Sequence, residues 1–144
     1  IRQITAAEWA WSDLLILSAM IVKKEDFLAQ IQAAKRRCKR VAVGGPYPTA
    51  LPQEVTDVGA DYLILDEGEI TLPLFIDAIS RGESSGIFRS GGEKPDVTNT
   101  PIPRFDLLEF DAYAEMSVQF SRGCPFQCEF CDIIVLYGRK PRTK

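Results

Sequence analysis

Up to about residue 80, the chain alternates between short apolar runs and longer segments in which apolar residues recur at helical spacing. A nearly continuous apolar run predicts a strand that is buried on both faces, as in a parallel sheet covered by helices. We predict strands over 13–20, 40–43 and 61–65, and helices over 24–39, over 52–59 and from 69 onward. This alternation indicates an α/β fold with a parallel sheet and crossover helices.

Two details of this pattern carry separate predictions. Thr5 and Glu8 match a capping box, in which the two side chains satisfy free amides at the start of a helix. Cys38 continues the apolar stripe of the helix predicted over 24–39. We therefore predict that Cys38 is a buried structural thiol rather than a ligand.

Beyond residue 80 the sequence changes character, because glycine, serine and proline interrupt short apolar pieces. We interpret this part as a hairpin or irregular linker, in which 87–89 pairs with a strand near Val97. Residues 105–113 have the pattern of a short helical or turn-rich bridge, and 117–120 alternates as a strand. The predicted divisions are an α/β domain at 1–82, a linker or hairpin region at 83–116 and the start of a further domain at 117–144.

The loops that follow the three predicted strands are candidates for a binding site. In an open parallel sheet, ligands bind beyond the carboxyl ends of the strands. Glycine in such loops lets a large, polar-edged ligand approach the backbone, although ordinary turn chemistry accounts for the same residues. The candidate binding residues are Ser18, Ala19, Met20, Gly44, Gly45, Pro46, Glu67, Gly68 and Glu69.

Length, charge and composition narrow the class of protein. A chain of 144 residues can form one well-packed domain but not two large ones. The net charge of −3 and the pI near 5.0 argue against a nucleic-acid partner. No apolar run reaches the roughly 20 residues that span a bilayer. Because the chain begins with Ile1 and stops soon after a cysteine-rich stretch, we interpret it as a fragment cut at both ends.

Three of the four cysteines, Cys124, Cys128 and Cys131, lie close together with the spacing C-x3-C-x2-C. Such spacing suits a metal or cluster site, because one short loop can direct several thiolates at a single centre. Disulfides would leave one of the three thiols unpaired. A structural zinc ion would need a fourth ligand from elsewhere, and the chain contains no histidine. A [4Fe–4S] cluster with one iron left open fits three ligands better.

With Phe130 directly before the third cysteine, this loop resembles the cluster loop of radical S-adenosylmethionine enzymes. The resemblance implies that Cys124, Cys128 and Cys131 hold a [4Fe–4S] cluster and that S-adenosylmethionine chelates the fourth iron. It also implies that Phe130 lies near the adenine. The stretches "GGPYPT", "LDEGEITLPLF" and "SRGCPFQCEFCDIIVLYGRKPRTK" resemble the cobalamin-binding subclass of these enzymes, hopanoid methylases among them.

The resemblance also implies a more specific architecture. A truncated Rossmann/flavodoxin-like domain of the cobalamin-binding type is followed by a linker and by the first strand and cysteine loop of a radical S-adenosylmethionine partial barrel. The loops at Ser18, Gly44 and Glu67 would border the corrin or its nucleotide tail. The chain departs from the cobalamin signature Asp-x-His-x-x-Gly, because it has no histidine to ligate cobalt. It also has about two strands fewer than the family's usual sheet.

The function implied by the resemblance is radical chemistry. The complete enzyme would cleave S-adenosylmethionine to a 5′-deoxyadenosyl radical, and methylcobalamin would supply a methyl group to an unactivated carbon. Because cofactors carry this chemistry, we expect no catalytic acid or base in the chain. We expect a small-molecule substrate, an electron donor such as flavodoxin or ferredoxin, and a location in the reducing cytoplasm. This segment alone is expected to be inactive.

Two other functions remain open on the sequence. One is a cobalamin-independent radical S-adenosylmethionine oxidoreductase or cyclase with a vestigial cobalamin-type domain. The other is a non-enzymatic α/β module with a structural zinc loop. Retention of a corrin separates the first from a methylase, and metal analysis separates the second from both.

Overall fold

The computed structural model describes residues 4–144. By its internal contacts the chain divides into two compact units, Ile1–Glu93 and Lys94–Lys144. The helices of the first unit are α1 (Ala6–Trp11), α2 (Lys24–Lys35), α3 (Pro46–Ala50), α4 (Pro52–Asp57) and α5 (Gly68–Ser80). Its strands are β1 (Leu14–Ser18), β2 (Arg40–Gly44), β3 (Tyr62–Ile64) and β4 (Gly86–Phe88). Within residues 4–144, no helix is long and apolar enough to cross a membrane.

The sheet of the first unit is parallel throughout, in the order β1-β2-β3-β4. The predicted α/β fold with crossover helices is therefore confirmed. Strand β4 lies close to the strand predicted over 87–89, but the expected pairing of that strand with one near Val97 is wrong. Ile87 instead lies opposite Leu63 of β3, and Val97 begins a 3-10 turn. The predicted capping box is present at α1, where the Thr5 hydroxyl accepts from the Glu8 amide.

The two faces of the sheet bury different helices, because successive side chains of a strand point to opposite faces. One face packs against α2 and α4 through Val41, Val43, Leu63 and Leu65, together with Phe27, Ile31 and Val55. The other packs against α5 through Ala42, Tyr62 and Ile64, together with Phe75. Each strand in the order β1-β2-β3-β4 is added on the same side of the strand before it. Helices α2 and α4 cover one face of the sheet, and α5 covers the other. The crossover from β3 to β4 through α5 therefore has the opposite handedness to the two crossovers before it.

Cys38 is exposed, so the prediction of a buried thiol is wrong. Helix α2 ends at Lys35, three residues earlier than the apolar stripe suggested. Cys38 adopts a φ of 55°, and its amide donates to the Lys35 carbonyl at 3.0 Å while the Lys39 amide donates to Ala34 at 3.0 Å. This left-handed closure turns the chain away from the helix and carries the thiol out of the core.

The second unit has little regular structure. It contains β5 (Ser121–Arg122), β6 (Arg142–Thr143) and α6 (Ile133–Tyr137), which is followed by Gly138 as its C-cap. The residues 117–120, predicted as a strand, are not part of a ladder. A neighbouring strand for backbone hydrogen bonds is present only from residue 120 onward. There the Lys144 amide donates to the Phe120 carbonyl at 3.0 Å, and β5 pairs antiparallel with β6.

The side chain of Tyr47 connects α3 to α2 and α4. Its side chain is buried and contacts Phe27 edge-on, with ring centroids 5.7 Å apart. Its hydroxyl donates to the Glu54 carboxylate at 2.6 Å, and the Lys24 ammonium donates to the other carboxylate oxygen at 2.7 Å. Burial, reinforced by the neighbouring Glu54 carboxylate, raises the pKa of Tyr47 from 10.0 to about 12.

We expect the free energy of unfolding to fall as the pH rises from 10 to 12, in part through Tyr47. The unfolded chain releases the phenolic proton near pH 10, whereas the folded protein holds it until about pH 12. The stabilisation is thus complete below pH 10 and lost across this interval. Urea unfolding at pH 8, 10, 11 and 12 should show a shallower decline for Tyr47→Phe than for the wild type. Parallel curves for the two proteins would contradict this assignment.

Candidate functional site

The carboxyl ends of the four parallel strands meet at one edge of the sheet, and hydrogen bonds join their loops. The amide of Tyr47, in the loop after β2, donates to the carbonyl of Ala19, after β1, at 3.1 Å. The amide of Asp66, after β3, donates to the Thr49 hydroxyl at 2.9 Å. The three loops predicted to bind a ligand are therefore neighbours along this edge.

Gly44 and Gly45 are explained by close packing within the protein. A Cβ atom on Gly44 would lie 2.9 Å from the Ile64 carbonyl oxygen, and one on Gly45 would lie 2.5 Å from the Ser18 hydroxyl oxygen. Gly45 also has φ 92° and ψ −177°, a region essentially restricted to glycine. The next residue, Pro46, begins the short helix α3 where we predicted a rigid loop. These two glycines allow neighbouring strand ends to approach each other closely. Ordinary turn chemistry, the alternative to a ligand site in the sequence analysis, therefore accounts for them.

The open part of the edge lies at other candidate residues. Gly68 is the first residue of α5, and a Cβ atom there would meet nothing within 4 Å. Met20 exposes 62% of its surface, which is high for an apolar side chain. Glu67 is buried at the start of α5, and Glu69 is half-buried in its first turn. A ligand at this edge would therefore contact Met20 and Gly68 more readily than Gly44 and Gly45.

Asp66 was absent from the predicted binding residues, yet it organises this edge. It has a φ of 66°, in the left-handed region that favours glycine. Its carboxylate accepts from the amide and the hydroxyl of Ser90, at 2.9 Å and 3.2 Å. This contact joins the loop after β3 to the residues that follow β4. The sequence signal that could have identified Asp66 was an acidic residue directly after the buried strand predicted over 61–65.

Gly45→Ala is expected to lower the free energy of unfolding by about 1–3 kcal/mol, because alanine is strained at this φ and its Cβ meets Ser18. Gly68→Ala is the matched control at the same edge. Its Cβ enters open space, so we expect a change within about 0.5 kcal/mol or a small stabilisation. Urea unfolding followed by circular dichroism measures both. Equal effects of the two substitutions would contradict the packing role of Gly45.

The cysteine loop lies in the second unit and carries three free thiols. Cys124 follows β5, is half-buried, and donates its amide to the Gly138 carbonyl at 3.1 Å. Cys128 is exposed, and its carbonyl accepts from the amide of the half-buried Cys131 at 3.2 Å. Phe130 exposes 94% of its surface beside them. The thiols of Cys128 and Cys131 and the ring of Phe130 therefore lie at the surface of the loop, and Cys124 lies at its base.

The donor chemistry of this loop fits an iron–sulfur cluster, because thiolates are the usual ligands of such clusters and all three are free. Within residues 4–144, no group of three or more His, Cys, Asp or Glu side chains is arranged around a common point for a metal ion. The loop supplies the right atoms, and its thiols would have to converge on binding.

Comparison with known proteins shows close relatives but no matching family model. An uncharacterized methyltransferase of Synechocystis is 67% identical over 144 residues, which is 100% of this chain and 27% of that protein. The hopanoid C-2 methylase of Rhodopseudomonas palustris is 36% identical over 148 residues, with 100% and 28% covered. The bacteriochlorophyllide d C-12(1)-methyltransferase of Chlorobaculum tepidum is 30% identical over 116 residues, with 77% and 25% covered.

Among solved structures, the N-terminal domain of the hypothetical protein TM0182 of Thermotoga maritima is 23% identical. The match covers 61% of this chain and 73% of that one, with a TM-score of 0.48. The likeness is partial, and no conclusion about function rests on it.

The chain combines an α/β sheet unit with a loop of three free thiols, and its relatives are named as methyltransferases. The chain is a homologue of these methyltransferases over its whole length, as its resemblance to the hopanoid methylases predicted. It spans about a quarter of the length of the curated relatives it matches, 27% and 28% for the first two.

Proposed function

We propose that this chain is the part of a radical S-adenosylmethionine methyltransferase that supplies the cluster ligands and one edge of a cobalamin site. The observation that carries the proposal is the loop with three free thiols in a chain whose relatives are methyltransferases. Relatives named for the methylation of hopanoids and of a bacteriochlorophyllide support transfer to a carbon atom of a small organic molecule. We place the protein in the cytoplasm, where free thiols persist.

The residues of the loop have distinct roles in this proposal. Cys124, Cys128 and Cys131 would hold a [4Fe–4S] cluster as thiolates, and Phe130 would lie against the adenine of S-adenosylmethionine. Such a cluster supplies the electron that cleaves S-adenosylmethionine to the 5′-deoxyadenosyl radical. The protein's own contribution is to hold the cofactors and to shield the radical from water. An electron donor such as flavodoxin or ferredoxin would reduce the centre.

The carboxyl edge of the sheet is the proposed cobalamin border. The proposed border residues lie at the carboxyl ends of the first three strands or directly after them, and they are Ser18, Ala19, Met20, Gly44, Gly45, Pro46, Glu67, Gly68 and Glu69. Met20 and Gly68 offer the open surface, while Gly44 and Gly45 hold the strand ends in place. Because the chain has no histidine, it would provide no imidazole ligand to cobalt.

The test is anaerobic reconstitution of the whole protein with iron and sulfide, followed by metal analysis and an assay for 5′-deoxyadenosine. About four irons per chain, absorbance near 400 nm and cleavage of S-adenosylmethionine are the expected results. Titration with methylcobalamin then distinguishes a methylase from a cobalamin-independent oxidoreductase or cyclase, because only the methylase retains the corrin. Zinc without iron would overturn the proposal and leave a structural module. The present segment alone is expected not to turn over.

A further inference from the structure

The cysteine loop is held at its base by the segment that follows α6, which we call the strap (residues 138–144). Ser121 lies opposite Thr143 and Arg122 opposite Arg142 in the antiparallel pair of β5 and β6. The Gly138 carbonyl accepts from the amide of Cys124 at 3.1 Å. The strap thus runs antiparallel to the chain that enters the loop and fixes the position of the first cysteine.

The contact between the strap and the base of the loop leaves no space for a side chain at Gly123. A Cβ atom on Gly123 would lie 2.6 Å from the Lys140 carbonyl oxygen and 3.0 Å from that of Gly138. Gly123 also has a φ of 86°, which favours glycine. The two segments are therefore in direct backbone contact next to Cys124.

The middle of the loop has a second attachment to the strap. With the Gln127 amide oriented so that its oxygen faces Arg139, that oxygen accepts from both Nη1 and Nη2 of the guanidinium, each at 2.6 Å. Gln127 directly precedes Cys128, the exposed thiol in the centre of the motif. The Arg139 side chain therefore contacts the residue next to this thiol.

We propose that Arg139 is a positioning residue, which limits the motion of the segment that carries the Cys128 thiol through its contact with Gln127. A loop that is already ordered loses less conformational freedom when its thiolates converge on a metal. Two hydrogen bonds from a charged guanidinium to the Gln127 amide oxygen supply this order in the middle of the loop. This inference depends on one part of the proposed function, namely that the three thiolates bind a single centre.

The test is a titration of the reduced chain with Cd²⁺, followed by the ultraviolet absorbance of cadmium–thiolate bonds. Arg139→Met is expected to weaken Cd²⁺ binding about three- to fivefold, and Gln127→Ala to the same extent, because the contact joins two exposed side chains. The double variant should be no weaker than either single variant, because both remove one contact. Gln127→Glu should retain the affinity, since a carboxylate accepts from the same guanidinium.

Lys140→Met is the matched control, because it removes the same charge one residue further along the strap. We expect it to change the affinity less than twofold. The thermal unfolding of every variant should match that of the wild type, so that the loss of affinity reports loop order. Equal losses for Arg139→Met and Lys140→Met, or additive losses in the double variant, would overturn the inference. A wild-type chain that binds Cd²⁺ without three thiolates would instead overturn the cysteine centre itself.

Discussion

Replacing any one of Cys124, Cys128 and Cys131 by serine is expected to abolish iron retention and cleavage of S-adenosylmethionine in the reconstituted whole protein. The cluster has three protein ligands in this proposal, and a serine hydroxyl does not replace a thiolate as a soft ligand. Iron per chain should fall from about four to below one, with loss of the absorbance near 400 nm. Iron and sulfide analysis and the 5′-deoxyadenosine assay measure the effect.

Cys38→Ser is the control for this series. Cys38 is also a free, exposed thiol, but it lies at the end of α2 in the first unit. We expect full iron content and full cleavage activity in this variant. If the three loop variants kept their iron, or if Cys38→Ser lost it equally, the assignment of the cluster to the cysteine loop would be wrong.

Phe75→Ala is expected to lower the free energy of unfolding of the first unit by about 3–5 kcal/mol, the largest effect on stability that we predict. Phe75 is completely buried on the face of the sheet covered by α5. Its ring contacts Tyr62 and Phe88 edge-on, with centroids 5.2 Å and 5.8 Å away. Removing the ring would leave a cavity between α5, β3 and β4 in addition to the lost apolar burial.

Ile76→Ala, one residue along the same helix, is the matched control. Ile76 exposes 53% of its surface, so its truncation should cost less than about 1 kcal/mol. Urea unfolding followed by far-ultraviolet circular dichroism compares the two variants. Similar losses would show that α5 does not pack through Phe75 as described.

Periodicity predicted β1, β2, β3 and their helices because this signal is local. A strand buried on both faces needs apolar side chains in succession, and a helix needs them on one stripe. Strand β4 was predicted at 87–89 but with the wrong partner, since it is only three residues long and follows a glycine- and serine-rich turn. Its ladder depends on the distant strand β3, as does the hydrogen bond from the Leu65 amide to the Phe88 carbonyl.

Cys38 and Gly45 show where local patterns mislead. The helical stripe placed Cys38 in the core, but the left-handed backbone at this residue ends the turn and exposes the thiol. Glycine after a strand suggested bare backbone for a ligand, but Ser18 of the neighbouring strand occupies the space beside Gly45. In both cases the decisive contact or backbone angle depends on what the chain meets after it has folded.

The sequence by itself determined the α/β class, the positions of the first three strands along the chain, and the identity of the three thiols with their spacing. These properties depend on residue type and on separation along the chain. Only the tertiary structure decided the partner of the fourth strand, the split of the core between two faces, and the contact of Gln127 with Arg139. The reason is physical, because a ladder, a buried face and a hydrogen bond between separate segments each require a partner that the fold brings into place.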